Sequence, residues 1–170
     1  MSRYWSALRR RLAIASDVHA RGGTLLFVHS FLFALALPVL LLLPLPRLQA
    51  LLDRLASRRR RQRADKQSVA ATVLAMLQAG GRLIRPGCLT RGITLYYFLR
   101  RAGVEVDLCF GIGRVSEGDG FDGHCWLSID GEPYLETRDP RPLYTGMYAF
   151  RGSSQSKPSI CSSPECENPR

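Results

Sequence analysis

Acidic side chains are in short supply in this chain. It has 14 Asp and Glu against 24 Lys and Arg in 170 residues, a formal net charge of +10. Such a surface is drawn to anionic partners: phospholipid, nucleic acid or acidic peptide. Much of the positive charge sits in flanking clusters, RRR at 9–11 and RRRRQR at 58–63. They lie apart from Tyr96, Tyr97 and Trp126, so the interleaving of base and aromatic that marks a nucleic-acid surface is missing and no nucleic-acid partner is expected. Also absent is any CxxC pair or regular cysteine framework, and the five cysteines are an odd number. Free thiols in a reducing compartment fit that usage better than a secreted disulfide scaffold. A zinc set drawn from Cys88, Cys109, His124 and Cys125 would match no familiar ligand spacing. The glycines of GIGRVSEGDG (111–120) are no nucleotide fingerprint, because no helix follows the strand that precedes them.

Long apolar sequence, by contrast, is present. Residues 24–43, TLLFVHSFLFALALPVLLLL, run almost without interruption; His29 and Pro38 are the awkward members. Twenty apolar residues are enough for a helix to cross a bilayer core, and proline is tolerated there. More arginines follow the run than precede it (Arg47, Arg54 and the 58–63 cluster), which would keep the downstream domain cytoplasmic at an inner membrane. A cleavable signal peptide fits poorly, since the segment starts late and no small-x-small site follows. The competing reading is a greasy helical hairpin packed on the domain or dipping into one leaflet. PLP at 44–46 then turns into an amphipathic, basic helix, RLQALLDRLASRRRR, of the kind that lies at a membrane surface.

SRRRRQRADKQ (57–67) reads as a solvated connection. Ser68 is the expected cap of a helix, VAATVLAMLQAGG, with Val69, Val73, Met76 and Leu77 inward and Gly80-Gly81 as its stop. In RPGCLTRGITLYYFLRRAG (85–103) a turn at Pro86-Gly87 opens a second helix, whose apolar residues Leu89, Ile93, Tyr96, Tyr97 and Leu99 have helical spacing and which stops at Gly103. After that the period changes. VEVDLCF (104–110) alternates as a half-buried strand does; 111–120 is expected to be a loop; FDGHCWLSI and PYLETR read as two strands around Asp130-Gly131; another short strand is expected near LYTGMYAF. The tail from Gly152 is poor in bulky residues and expected to be disordered. The organisation is therefore a hydrophobic, basic-flanked helical segment over 1–66, a folded domain over 67–151 and a tail over 152–170. Helices followed by an antiparallel sheet make the class α+β.

Within that frame Cys88 stands at a helix start, with Arg85 and Arg91 near in sequence. Cysteine there can be a small apolar packing residue; equally, helix N-termini and nearby cations favour the thiolate, the nucleophilic form. Acyl transfer then needs a proton shuttle, and His124 is the only histidine of the folded half. A third group must orient the imidazole, and Glu136 is the candidate, with Asp139 in reserve. Turn length decides whether Glu136 can serve. A three-residue connection at Ile129–Gly131 puts His124 directly opposite Glu136, and one at 130–132 puts them diagonally on one face. If Asp130 and Gly131 alone make the turn, Cys125 faces Glu136 and His124 points away. The pairing therefore demands an odd turn or a bulge.

Cys88-Leu89-x-Arg91, a helix ending Leu99-Arg-Arg-x-Gly103, a strand ending Gly111-Ile-Gly and His124-x-Trp126 before Asp130-Gly131 occur here in order. Together, over about 68–140, they resemble the transglutaminase-like domain of lasso peptide biosynthesis proteins, the leader-peptide protease often called the B2 protein. That family also begins with a leucine-rich helix ending in a Pro and Arg turn. The resemblance implies a papain-like α+β fold and a cysteine peptidase without metal or organic cofactor. It makes Cys88 the nucleophile, His124 the base and Glu136 the acid on the next strand. It also implies a ribosomal precursor peptide as substrate and a separate small leader-binding partner protein. Three features depart from the family pattern: Glu136 stands for the usual aspartate, Gly92 for the common serine, and Cys125-Trp126-Leu127-Ser128 for Ala-Trp-Val-Glu. The alternative is an inactive domain of the same fold that binds a peptide or partner at the membrane.

Overall fold

The computed structural model of the protein describes residues 23–58, 65–80, 83–84, 87–114 and 120–151. Outside them fall the RRR cluster, most of the 58–63 run, Arg85, Pro86 and the tail. The chain divides into two compact units, Met1–Val104 and Glu105–Arg170.

The first unit carries four helices among the described residues: α1 (Thr24–Leu40), α2 (Leu45–Arg58), α3 (Lys66–Gly80) and α4 (Cys88–Arg101). At the centre is α4, on which α1, α2 and α3 all pack. Its sequence explains that position. Apolar or small residues occupy nearly every side, and Ile93, Leu95, Tyr96, Phe98 and Leu99 are all buried, whereas a surface helix keeps one polar face. Phe33 of α1 stacks on Tyr97 with ring centroids 4.6 Å apart and meets Phe98 edge-on. The Tyr96 hydroxyl, deep in the unit, donates to Asp53 Oδ1 of α2 at 2.9 Å, so its burial leaves no unmet donor. The expected stop at Gly103 holds. Gly103 takes φ +84°, its N–H reaches Arg100 O, and the Val104 N–H reaches Leu99 O, the paired bonds of a Schellman cap.

The 24–43 run does not continue as one helix. α1 closes at Leu40 after 17 residues, about 25 Å of rise against the ~30 Å of a hydrocarbon core. No helix among the described residues is long and apolar enough to cross a membrane. The prolines account for the break, since Pro44 disfavours helical backbone at the residue before it. Packing on the domain is realised instead. Ser30, Ala34 and Leu37 are buried, and Ala34 joins Met76 and Ile84 in a core cluster flanked by Phe27, Phe31 and Leu77. Leu25, Val28, Leu32, Leu35 and Val39, three or four residues apart, stay exposed on the outer side. In α2, Leu48, Leu52 and Ala56 are buried at four-residue steps, while Arg47 and Arg54 are exposed.

The cap of α3 is a correction. Asp65, not Ser68, closes its start: the Asp65 carboxylate accepts from the Gln67 N–H at 3.3 Å and the Ser68 N–H at 2.9 Å. Aspartate caps as well as serine, and here it lies three residues earlier, so Ser68 falls inside the helix and its carbonyl accepts from Thr72 Oγ1.

The second unit is one antiparallel sheet of β1 (Asp107–Arg114), β2 (Phe121–Ile129), β3 (Glu132–Tyr134) and β4 (Thr145–Phe150), in the order β3-β2-β1-β4. β2 falls where alternation put it. β1 starts three residues later than expected and runs on through Gly111 and Gly113, which the sequence reading assigned to a loop. Glycine runs usually weaken strands; these are held by full pairing with β2, Gly111 opposite His124 and Gly113 opposite Asp122. Asp130 (φ 54°) and Gly131 (φ 85°) form a two-residue turn with both φ positive, the type I′ geometry that Asp-Gly favours. β3 is cut to three residues because Leu135 takes φ 62°.

Candidate active site

Alternation along β1 and β2 sorts the second unit's chemistry between two faces. His124, Trp126 and Asp122 share one face with Cys109, Gly111 and Gly113. Cys125 and Leu127 lie on the other with Leu108 and Phe110, where Phe110, Tyr148 and Phe150 form an aromatic cluster. Cys109 and Cys125 are both buried yet belong to opposite faces, so they and His124 do not converge as one ligand set.

His124 and Glu136 form a pair. Leu127 pairs with Tyr134 and Ile129 with Glu132, so the hairpin has the two-residue turn. Continued in that register, Glu136 would stand opposite Cys125, on the wrong face. The left-handed backbone at Leu135 breaks the alternation and brings Glu136 to His124: the Nε2–H donates to Glu136 Oε2 at 3.3 Å. The bulge that the sequence demanded is therefore a single residue of positive φ. The two side chains are 25 % and 15 % exposed, so both are partly shielded from solvent. With Nε2 engaged by the carboxylate, Nδ1 is the ring nitrogen that would exchange a proton with a nucleophile.

Asp139, the reserve acid, is engaged elsewhere. Arg141 Nε donates to both its oxygens at 3.0 and 2.9 Å, and these hydrogen bonds hold the carboxyl below the ordinary carboxylate range. The same guanidinium reaches Glu132 Oε2 at 3.0 Å, clasping the hairpin to the segment that leads into β4. Sequence reasoning missed that clasp. An acid two residues before an arginine, across a proline, is too common a pattern to single out.

It also missed Tyr144. That ring lies 5.1 Å from the His124 ring, centroid to centroid, and 6.5 Å from Trp126; Trp126 in turn lies 6.2 Å from His124 with planes 15° apart. The imidazole is thus bordered by two aromatic rings and one carboxylate.

Cys88 belongs to the helical unit. It is the first residue of α4, preceded by Gly87 in extended backbone, half-buried and outside any disulfide. Gly87 leads into the first turn in extended backbone, and a Cβ at that position would meet nothing within 4 Å. Cys88 stands at a helix start and His124 on a strand, as expected, whereas Glu136, expected on the following strand, lies two residues beyond the end of β3.

Comparison with curated proteins and with solved structures gives no match. A family model described as Transglutaminase-like superfamily matches residues 33–149, from the middle of α1 almost to the end of β4. With that match covering well over half of its length, the chain belongs to the transglutaminase-like superfamily, an α+β fold consistent with cysteine-dependent acyl transfer.

Proposed function

We propose that the protein is a cysteine peptidase that transfers the acyl group of a peptide amide, and that its substrate is the leader portion of a ribosomal precursor peptide of the lasso type. What supports the reading is the His124–Glu136 hydrogen bond, formed against the natural alternation of the strand by way of a residue of positive φ, Leu135. Such strain persists at functional sites when the surroundings enforce it.

In this reading His124 Nδ1 takes the Cys88 thiol proton as sulfur attacks the amide carbonyl. The Cys88 backbone N–H, at the helix start, donates to the developing oxyanion. The C–N bond breaks as the imidazolium returns the proton to the leaving amine, which leaves a thioester on Cys88. Water, deprotonated by His124, then attacks that thioester and releases the acid and the thiol; an amine in place of water gives transamidation. Glu136 keeps the imidazole in one tautomer throughout.

The test is iodoacetamide alkylation of the full chain, followed by mass spectrometry for Cys88, Cys109 and Cys125 separately, across pH, in wild type and His124→Ala. Cys88 should react fastest near neutral pH and slow markedly in the variant. Should Cys88 react no faster than the two buried thiols and ignore the substitution, the domain is a binding module and the peptidase reading falls.

We further propose that the helical unit sits on an anionic membrane surface while the enzyme works on its peptide. The exposed residues Leu25, Val28, Leu32, Leu35 and Val39 of α1, with Leu42 just beyond, make an apolar stripe. No charged residue occurs between 24 and 46 to rim it, and exposed Arg47 and Arg54 follow at once. A protein partner is usually met with a polar rim; an apolar face with cations at its end suits lipid. The full chain should co-sediment with phosphatidylglycerol-containing vesicles and lose that binding in Leu32→Glu/Leu35→Glu. Equal recovery of the variant would refute the lipid contact.

A further inference from the structure

Tyr144 reaches the His124 face by a second irregularity. From Leu108 to Phe110, β1 pairs with β4 residues Phe150 to Tyr148; then the register shifts, and Gly111 meets Gly146. Met147 is the extra residue, 61 % exposed. Without that bulge the alternation of β4 would turn Tyr144 toward the Phe110 face. With it, Tyr144, two residues before Gly146, lies on the face of Gly111 and His124.

Room for the ring is made by the two glycines of β1. A Cβ at Gly113 would stand 2.9 Å from Tyr144 Cδ1 and 2.6 Å from the Leu143 carbonyl oxygen. One at Gly111 would stand 3.0 Å from Tyr144 Cβ and 2.9 Å from Trp126 Cζ3. These approaches are closer than packed side chains make, so the Gly111-Ile112-Gly113 stretch is the seat on which the tyrosine lies. Its far end is tied as well: the hydroxyl donates to Asp122 Oδ2 at 3.2 Å, and Asp122 is two residues before His124 on β2, on the same face. A bulge, two glycines and a tether thus converge on one ring, which ends 5.1 Å from the imidazole at a tilt of 32°.

We propose that Tyr144 is a positioning residue: it confines the imidazole plane so that Nε2 stays on Glu136 while Nδ1 is presented to the nucleophile. Trp126 alone does not achieve this, because it shares β2 with His124 and moves with it; Tyr144 comes from the chain beyond β1 and fixes the ring against the rest of the sheet. The consequence for rate rests on the acyl-transfer reading. The ordering of the imidazole does not.

Two readouts separate those claims. The first is the ¹⁵N imidazole spectrum of the full chain, with His124 signals identified by their loss in His124→Gln. The second is steady-state turnover of p-nitrophenyl acetate, which acylates a reactive thiol and releases p-nitrophenolate. Tyr144→Leu should replace the single-tautomer His124 pattern by an exchange-averaged one. It should also lower kcat by about tenfold to a hundredfold with KM changed little, the size expected when a reacting group is mispositioned. Tyr144→Phe, which keeps the ring, should retain the pattern and most of the rate. Asp122→Ala, at an exposed residue, should loosen the ring partway, and it decides the matter if Tyr144→Leu does not fold. An unaveraged His124 pattern in a folded Tyr144→Leu, or an unchanged one in Asp122→Ala if Tyr144→Leu is lost, overturns the proposal. If the wild type fails to turn over the ester, the enzyme reading suffers and the nitrogen spectra alone judge Tyr144.

Discussion

A His124→Gln chain is expected to lose ester and peptide acyl transfer by about 10²–10⁴-fold, the range for removing a positioned general base. The substitution is chosen for what it keeps. A glutamine amide N–H can still donate toward Glu136, whose side chain is only 15 % exposed, so the carboxylate is not stranded without a donor. The thermal midpoint should therefore move little while turnover collapses. What distinguishes this result from general damage is the pairing of the two measurements on the same sample: single-turnover thioester formation on Cys88 and the unfolding curve. Retention of rate within a few-fold would mean that the imidazole takes no part in the chemistry. Peptide binding without turnover in both wild type and variant would point to the inactive-domain alternative.

The second large effect concerns a residue with no reactive atom. Leu135 holds φ 62°, a conformation costing a non-glycine residue on the order of 1–3 kcal/mol, and a β-branched side chain tolerates it least. Leu135→Val should drive the backbone back to the extended region. β3 would then continue in its existing register and deliver Glu136 to the Cys125 face. Loss of the orienting carboxylate should lower kcat by roughly 10²-fold or more, as for other triads whose third member is removed. Leu135→Gly makes the complementary case, since glycine adopts positive φ freely; it should keep the rate near wild type although it deletes the whole side chain. A conservative change that is severe beside a radical one that is mild is the signature of a backbone requirement. The reverse order would show that Leu135 matters through its packing.

Much of the architecture can be read from residue pattern alone. The β2 boundaries, the Asp130-Gly131 turn and the Gly103 stop are set by local chemistry: strict alternation, positive φ and a left-handed cap. What could not be read are features decided by neighbours distant in sequence. Gly111 and Gly113 look like a loop until the strand beside them and the ring above them are known. The 24–43 run has the composition of a bilayer span; its burial at Ala34 and Leu37 depends on α3 and α4 lying beneath it. Asp65 and Ser68 are equally good caps by type, and only the helix start chooses between them. Spacing and residue type single out Cys88, His124 and Glu136 as candidates, and the structure places the last two within hydrogen-bond distance. The sequence is compatible with three turns, and the means by which Glu136 reaches the histidine is not legible in it, because a leucine carries no signal that its φ is positive.

The two irregularities at Leu135 and Met147 have a consequence for how this site tolerates change in chain length. Between them runs the connection from β3 to β4, residues 135–144. Side selection for Glu136 is made before most of that connection begins, and for Tyr144 after it ends. The intervening stretch can lengthen or shorten by odd or even numbers without turning either side chain to the wrong face. The facing of Glu136 and Tyr144 is thus set at two single residues, independent of the parity of the loop between them, while the glycine seat, the Asp122 tether and the Arg141 clasp hold what those residues place.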